Sequence, residues 1–133
     1  MADTVNIQTV FAGTRKHVIH LTNESDGTGE SGVTKLDISG LIGPDGTAPT
    51  SVSLIEASWD VQSTNGGYVV LEWDHTTDDE MLVLGGSGAV SFEKLGGLHD
   101  PKSTGGTGDV LLTTDSFVDG DSYDITLVFK LKD

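Results

Sequence analysis

An alternation of apolar and polar side chains closes the sequence and limits what the chain can fold into. From residue 123 onward the odd-numbered positions are apolar: Tyr123, Ile125, Leu127, Phe129 and Leu131. Polar residues hold most of the positions between them. A two-residue period places the two sets on opposite faces of an extended strand, which a helix with its 3.6-residue period cannot do. The segment is therefore predicted to be a β-strand, and its five apolar side chains predict a central place in a sheet.

The same pattern recurs along the rest of the chain. Further strands are predicted at residues 5–11, 15–22, 33–41, 52–61, 68–73, 81–84, 89–95 and 110–114. Glycine-rich turns separate them, and those at residues 12–14 and 65–67 are predicted to form hairpins. No window of ten or more residues has sustained helical spacing. The predicted fold is all-β: one domain over residues 1–133, an antiparallel β-sandwich or jelly-roll-like barrel of eight or nine strands.

Length and composition narrow the class of protein. A chain of 133 residues is predicted to bury about 70% of the surface that its unfolded form exposes. It contains no cysteine, which excludes disulfides, thiolate zinc sites and cysteine nucleophiles. The first residues show no basic leader followed by an apolar run, and no later apolar run approaches the roughly 20 residues that span a bilayer. We therefore expect a soluble protein that is made in the cytoplasm and has no membrane partner.

The charge of the chain is strongly acidic, with a formal net value of −14. Such a surface repels the phosphate backbone, so no direct nucleic-acid partner is expected. Every charged residue between Lys35 and Lys94 is acidic. The middle of the chain is thus predicted to present an acidic face, which either keeps the protein soluble or complements a basic protein partner.

The motifs of the common catalytic sites are missing from the sequence. Ser87 lies in Gly-Gly-Ser-Gly, which is not the Gly-x-Ser-x-Gly turn of a serine hydrolase. The glycines at 105–108 are followed by no Gly-Lys-Ser/Thr, as a phosphate-binding loop requires. His17 and His20 are three residues apart, so on a strand they face opposite sides. We expect no enzyme, no catalytic residue and no cofactor.

Calcium binding is the main chemical alternative. Acidic side chains cluster in two stretches, Asp74, Asp78, Asp79 and Glu80 in one and Asp115, Asp119, Asp121 and Asp124 in the other. Carboxylates are the ligands that calcium prefers, but neither stretch follows the twelve-residue EF-hand pattern. Acidic turns between strands account for both stretches, so no metal ligand is assigned.

Glycan binding is a second alternative. Trp59, Tyr68 and Trp73 fall on strands that are predicted to be adjacent, where exposed aromatic rings stack on sugars. Both tryptophans, however, share the parity of aliphatic neighbours, which predicts that they pack in the core.

Two parts of the chain resemble a known group of proteins. The opening residues 2–39, ADTVNIQTVFAGTRKHVIHLTNESDGTGESGVTKLDIS, resemble small virion-associated proteins of tailed bacteriophages, particularly those of marine phages. Residues 92–98 (FEKLGGL), 107–114 (TGDVLLTT) and 121–127 (DSYDITL) are similar to the same proteins. The middle of the chain, with its Pro44-Asp-Gly46 turn, aligns with none of them.

The resemblance implies a non-enzymatic role in the virion. A capsid decoration, or cement, protein fits the size, the all-β fold and the acidic surface. Such a protein binds the outer surface of the head in many copies and stabilises contacts between capsomers. The implied partners are the major capsid protein or other virion proteins, and the chain is expected as a homo-oligomer or in many copies. A neck, tail or fibre-associated component is the alternative within the class, and a glycan- or calcium-binding module lies outside it.

A clamping role needs a segment that reaches a neighbouring molecule. The candidate is the N-terminal stretch, because an extended segment can add a strand to the sheet of a partner. The only adjacent pair of basic residues would meet an acidic capsid site. The predicted partner interface is therefore Asp3, Thr4, Val5, Asn6, Ile7, Arg15 and Lys16. The intramolecular alternative is that residues 1–8 form a paired first strand and that the basic pair lies in a solvated turn.

Overall fold

The computed structural model describes residues 4–49, 51–75, 78–99 and 109–132, and these residues contain ten β-strands. The strands are β1 (Thr4–Ala12), β2 (Lys16–Glu24), β3 (Val33–Leu36), β4 (Ser51–Gln62), β5 (Tyr68–Trp73), β6 (Asp79–Leu84), β7 (Ser87–Ser91), β8 (Leu98–His99), β9 (Val110–Asp115) and β10 (Ser122–Lys132). Two short 3-10 turns lie at Ile38–Gly40 and Glu93–Leu95.

The strands form two antiparallel sheets. Sheet A has the order β1-β2-β10-β4-β7, and β8 pairs with β4 on the same edge as β7. Sheet B has the order β3-β9-β5-β6. No pairing joins the two sheets within the described ranges, and one hydrophobic core lies between them. The prediction of an all-β fold is confirmed, and of its two forms the sandwich describes the arrangement.

The closing strand β10 is central, as its alternation predicts. It pairs with β2 on one side and with β4 along its whole length on the other. The five alternating apolar side chains, Tyr123, Ile125, Leu127, Phe129 and Leu131, are all buried in the core. Burial of such a side chain contributes about 1.5–3 kcal/mol, so this strand supplies a large share of the core of sheet A.

The connection at residues 65–67 corrects the sequence prediction. The glycines predict a hairpin here, but β4 belongs to sheet A and β5 to sheet B. Both edges of β4 are occupied by other strands, β10 on one side and β7 with β8 on the other. The turn therefore carries the chain from one sheet to the other. A Cβ atom at Gly67 would lie 2.9 Å from the carbonyl oxygen of Asp115, which explains why glycine stands at this crossing.

The other differences between the predicted and the observed strands are small. The turn at 12–14 makes the predicted hairpin between β1 and β2. Two predicted strands, 33–41 and 89–95, end early because 3-10 turns take over their second halves. One strand, the two-residue β8, was not predicted, since a pair of residues shows no alternation. The described residues include no helix long and apolar enough to cross a bilayer.

Candidate interaction surface

Strand β1 is a nine-residue edge of sheet A. It pairs with β2 on one side, and within the described ranges no strand pairs with its other edge. All nine residues are exposed. Proteins protect such edges with charges, prolines or bulges. Here there is one irregularity in the pairing, between Thr9 and Phe11, but no charge and no proline. The backbone of β1 is thus available for pairing with another chain.

The inner face of β1 extends beyond the cover of sheet B. Ile7 lies opposite Leu21 in the β1–β2 register, so the two side chains share a face. Leu21 is 0% exposed and Ile7 is 45% exposed. Val5, opposite Asn23, is exposed in the same way. Sheet B therefore covers the inner face of β2 and ends before β1, which leaves an apolar strip on the inner side of β1.

A groove of about 470 Å³ runs along this strip. One wall is Val5, Asn6 and Ile7 of β1. The other wall is Val33 and Lys35 of β3, with Gly29 and Glu30 of the loop before it. Because β3 is the edge strand of sheet B, the groove lies between an edge strand of each sheet. An extended segment placed there would meet apolar side chains from both sheets.

A buried polar cluster fixes the second wall of the groove. The Nζ atom of Lys35 lies 2.6 Å from Oε2 of Glu30. The other carboxylate oxygen of Glu30 accepts hydrogen bonds from Nδ2 of Asn23 at 2.7 Å and from the hydroxyl of Tyr123 at 2.5 Å. Asn23 and Tyr123 belong to sheet A and Lys35 to sheet B. The cluster therefore links the two sheets and holds the 25–32 loop in place beside β1.

The predicted interface residues of the N-terminal stretch are part of this surface. Thr4, Val5, Asn6 and Ile7 lie in β1 and pair with β2, so residues 4–8 form a first strand. Asp3 lies outside the described residues. The intramolecular alternative thus describes the pairing of this segment, while its other edge and its inner face stay open to a partner. The role of these residues in a partner interface stays a prediction.

The predicted basic pair lies at one end of sheet A. Arg15 is in the turn between β1 and β2, where its carbonyl oxygen accepts a hydrogen bond of 2.9 Å from the backbone N–H of Leu131. Lys16 begins β2 and lies opposite Lys130 of β10. Sequence reasoning missed Lys130, because only the strand register brings it next to Lys16.

Two of the acidic residues that are candidate calcium ligands bind different protein partners. Asp121 is buried and accepts hydrogen bonds from the N–H of Val118 at 2.9 Å, the hydroxyl of Ser63 at 2.8 Å and the N–H of Thr64 at 3.2 Å. These hydrogen bonds lower the pKa of Asp121, and the bond from Val118 has the largest effect. Asp124 instead bonds Nε2 of His20. No group of three or more His, Asp or Glu among the described residues is placed to hold a metal ion.

The three aromatic residues considered for glycan binding do not share a face. Trp73 is buried in the core. Trp59 lies in the other sheet and donates from Nε1 to the carbonyl oxygen of Gly85 at 3.1 Å. Tyr68 is exposed, and its hydroxyl donates a hydrogen bond of 3.0 Å to the carboxylate of Asp115. This bond raises the pKa of Tyr68. The prediction that their strands are adjacent is wrong for Trp59, because β4 and β5 belong to different sheets.

No family model, curated protein or solved structure matches this chain. The resemblance to phage virion proteins therefore stays a prediction.

Proposed function

We propose that the protein is a non-enzymatic structural protein of a phage virion, and most concretely a capsid decoration protein. In this role it binds the outer surface of the head and stabilises contacts between capsomers. Its partner is the major capsid protein or another virion protein. The observation that carries the proposal is the long, uncharged and exposed edge strand β1, which lies beside an apolar groove.

Strand addition is the mode of binding that this edge supports. An extended segment of the partner would pair with β1 and make backbone hydrogen bonds along its edge. Nine residues of strand offer an edge about 30 Å long. Backbone pairing would supply affinity, and the side chains of Val5 and Ile7 would select apolar residues in the partner.

The charge of the protein favours this edge over the rest of its surface. Burying a charged side chain without a partner is costly, so a contact forms most readily where charges are absent. In a chain with 21 acidic and 7 basic residues, β1 is a nine-residue strand without any charge. A partner that docks on β1 displaces water from backbone and apolar groups rather than from carboxylates.

A charge placed on the edge tests the role of β1. Ile7→Lys should weaken binding to purified heads at least tenfold, because the ammonium group would enter the apolar strip. Val83→Lys is the matched control, since Val83 is a similarly exposed apolar residue on β6, the edge strand of sheet B. The heads are those of the phage that encodes the chain, prepared without this protein. Equal binding by the two variants would show that β1 is not the docking strand.

The copy number in purified particles tests the place in the virion. Quantitative mass spectrometry should find on the order of hundreds of copies per particle, since a decoration protein follows the symmetry of the head. A number in the low tens or below would favour the neck, tail or fibre alternative. Absence from the particles would refute the virion role.

A further inference from the structure

The outer face of sheet A, which points away from the core, has opposite charges at its two ends. Glu24, Asp60 and Asp124 lie at one end, where the register places Asp124 opposite Asp60 and Glu24 opposite the neighbouring Ser122. Lys16 and Lys130 lie opposite each other at the other end, and Arg15 is in the adjoining turn. Three of the seven basic residues of this acidic chain are thus gathered at one end of one face.

The middle of this face is mixed: apolar side chains adjoin the exposed Glu56, which lies opposite Val128, and His20, which contacts Asp124. Val18 and Val128 lie opposite each other on β2 and β10, and Phe11 of β1 lies next to Val18. Phe11 is exposed and the two valines are half-buried. A depression of about 410 Å³ adjoins Thr126 and Val128, on the side of β4 and β7. The face therefore has an acidic end, a middle in which an apolar group adjoins Glu56, and a basic end.

Strand β10 carries this pattern symmetrically about Leu127. Asp124 comes three residues before it and Lys130 three residues after it. Six residues of strand separate the two charges by about 20 Å, which exceeds the Debye length of about 8 Å at physiological salt, so they hardly neutralise each other within one molecule. A twofold axis in the plane of the face, perpendicular to the strands at Leu127, would place Lys130 of each copy over Asp124 of the other.

We propose that the outer face of sheet A binds a second copy of this chain, face to face and with antiparallel strands. The valines and the phenylalanine of the two faces meet near the axis, and the basic end of each copy covers the acidic end of the other. Five strands and eleven residues of β10 define a face of about 19 by 36 Å, or roughly 700 Å² per copy, close to the roughly 800 Å² of a standard interface.

The outer face of sheet B does not offer the same contact. Within its strands the only Lys or Arg is Lys35, which is buried against Glu30. Exposed acidic residues such as Asp115 and Glu80 remain on these strands without a basic counterpart. Two such faces would repel each other, so charge complementarity selects sheet A.

A charge-swap experiment tests the dimer directly. Sedimentation velocity over about 10 μM to 1 mM should show a reversible dimer of the unmodified protein. Lys130→Glu and Asp124→Lys should each weaken self-association at least tenfold, because each places like charges opposite each other. An equimolar mixture of the two variants should form a heterodimer, in which both contacts are again attractive. Both residues are exposed, so both variants are expected to fold.

Two further variants separate this interface from a general effect of charge. Lys94→Glu changes the net charge by the same amount as Lys130→Glu, but Lys94 lies outside the face, so it should leave the dimer unchanged. Glu56→Gln should strengthen the dimer, because the twofold places Glu56 near Ser58 of the other copy without a basic partner. An unmodified protein that stays monomeric at 1 mM would overturn the proposal. So would a mixture that associates no better than either variant alone.

Discussion

Glu30 and Lys35 form an ion pair of 2.6 Å although their side chains are only 5% and 1% exposed. Removing two charges from water costs several kcal/mol for each of them, and their attraction offsets this only when the remaining hydrogen bonds are also made. Asn23 and Tyr123 make those bonds to Glu30. The stability of the link between the sheets therefore depends on all members of the cluster being present.

Removal of one partner from this pair should be strongly destabilising. Lys35→Met leaves the Glu30 carboxylate buried without its counter-charge, and we expect the free energy of unfolding to fall by about 3–5 kcal/mol. Urea denaturation, monitored by tryptophan fluorescence, measures this change in the free energy of unfolding. Lys94→Met, at an exposed lysine, is the control and should stay within about 0.5 kcal/mol of the unmodified protein. The double variant Glu30→Gln/Lys35→Met should recover part of the stability that Lys35→Met loses. If the loss in the double variant equals the sum of the losses in the two single variants, the two residues are not coupled.

Asp121 should make stability depend on pH below its ordinary pKa of 3.8. Hydrogen bonds from Val118, Ser63 and Thr64 lower its pKa in the folded state, so the unfolded chain takes up the proton first as the pH falls. The stabilising contribution is complete above about pH 5 and is lost as the pH falls through the folded pKa. Asp121→Asn should therefore lower the urea midpoint at pH 6 and lower it much less at pH 2.5. If Asp121→Asn lowers the urea midpoint by the same amount at pH 6 and at pH 2.5, this account is contradicted.

A methyl group at Gly88 should displace Trp59. A Cβ atom there would lie 2.7 Å from Cζ2 of the indole ring, which is too close for the ring to keep its position. Gly88→Ala should cost about 1–3 kcal/mol and shift the tryptophan emission, since the bond to Gly85 would also be disturbed. Gly40→Ala is the control, because nothing lies within 4 Å of a Cβ at that position. An unchanged spectrum for Gly88→Ala would show that the indole ring keeps its position and would contradict this prediction.

Truncation of Leu127 should test the central role of β10. This side chain is 0% exposed, whereas Leu95 is 74% exposed. Leu127→Ala is expected to lower the free energy of unfolding by about 2–5 kcal/mol, from lost burial and from the cavity that remains. Leu95→Ala should change it by less than about 0.5 kcal/mol. Thermal and urea unfolding of both variants provide the comparison, and similar losses would mean that the core tolerates a gap at β10.

The sequence pattern predicts strands better than it predicts their partners. The alternation in β10 identifies a strand and its buried face, because parity is a local property. The glycines at 65–67 predict a hairpin wrongly, because glycines serve a tight turn and a crossing between sheets equally well. The choice depends on which strands occupy the edges of β4, and those strands lie far away in the sequence.

The contacts of the candidate surfaces are also harder to predict from the sequence than the strands that carry them. The N-terminal stretch could be selected from its sequence, but the groove beside it depends on where sheet B ends. Alternation with the buried Leu36 predicts an outward Lys35, whereas the pairing of β3 is irregular between Thr34 and Leu36 and Lys35 is buried against Glu30. Glu30 itself comes from a loop without large apolar residues, which gives no sign of burial. Its partner Tyr123 is 93 residues away, so no local pattern could connect them.

The central position of β10 has a consequence for how the protein folds during synthesis. Sheet A needs β10 between β2 and β4, but the ribosome makes residues 122–132 long after both of those strands. Until then β2 and β4 each present an open edge, in addition to that of β1, and such edges pair readily with other chains. Pairing over such long sequence separations is also slow. We expect the nascent chain to be prone to aggregation until β10 emerges, and to complete sheet A in one late step.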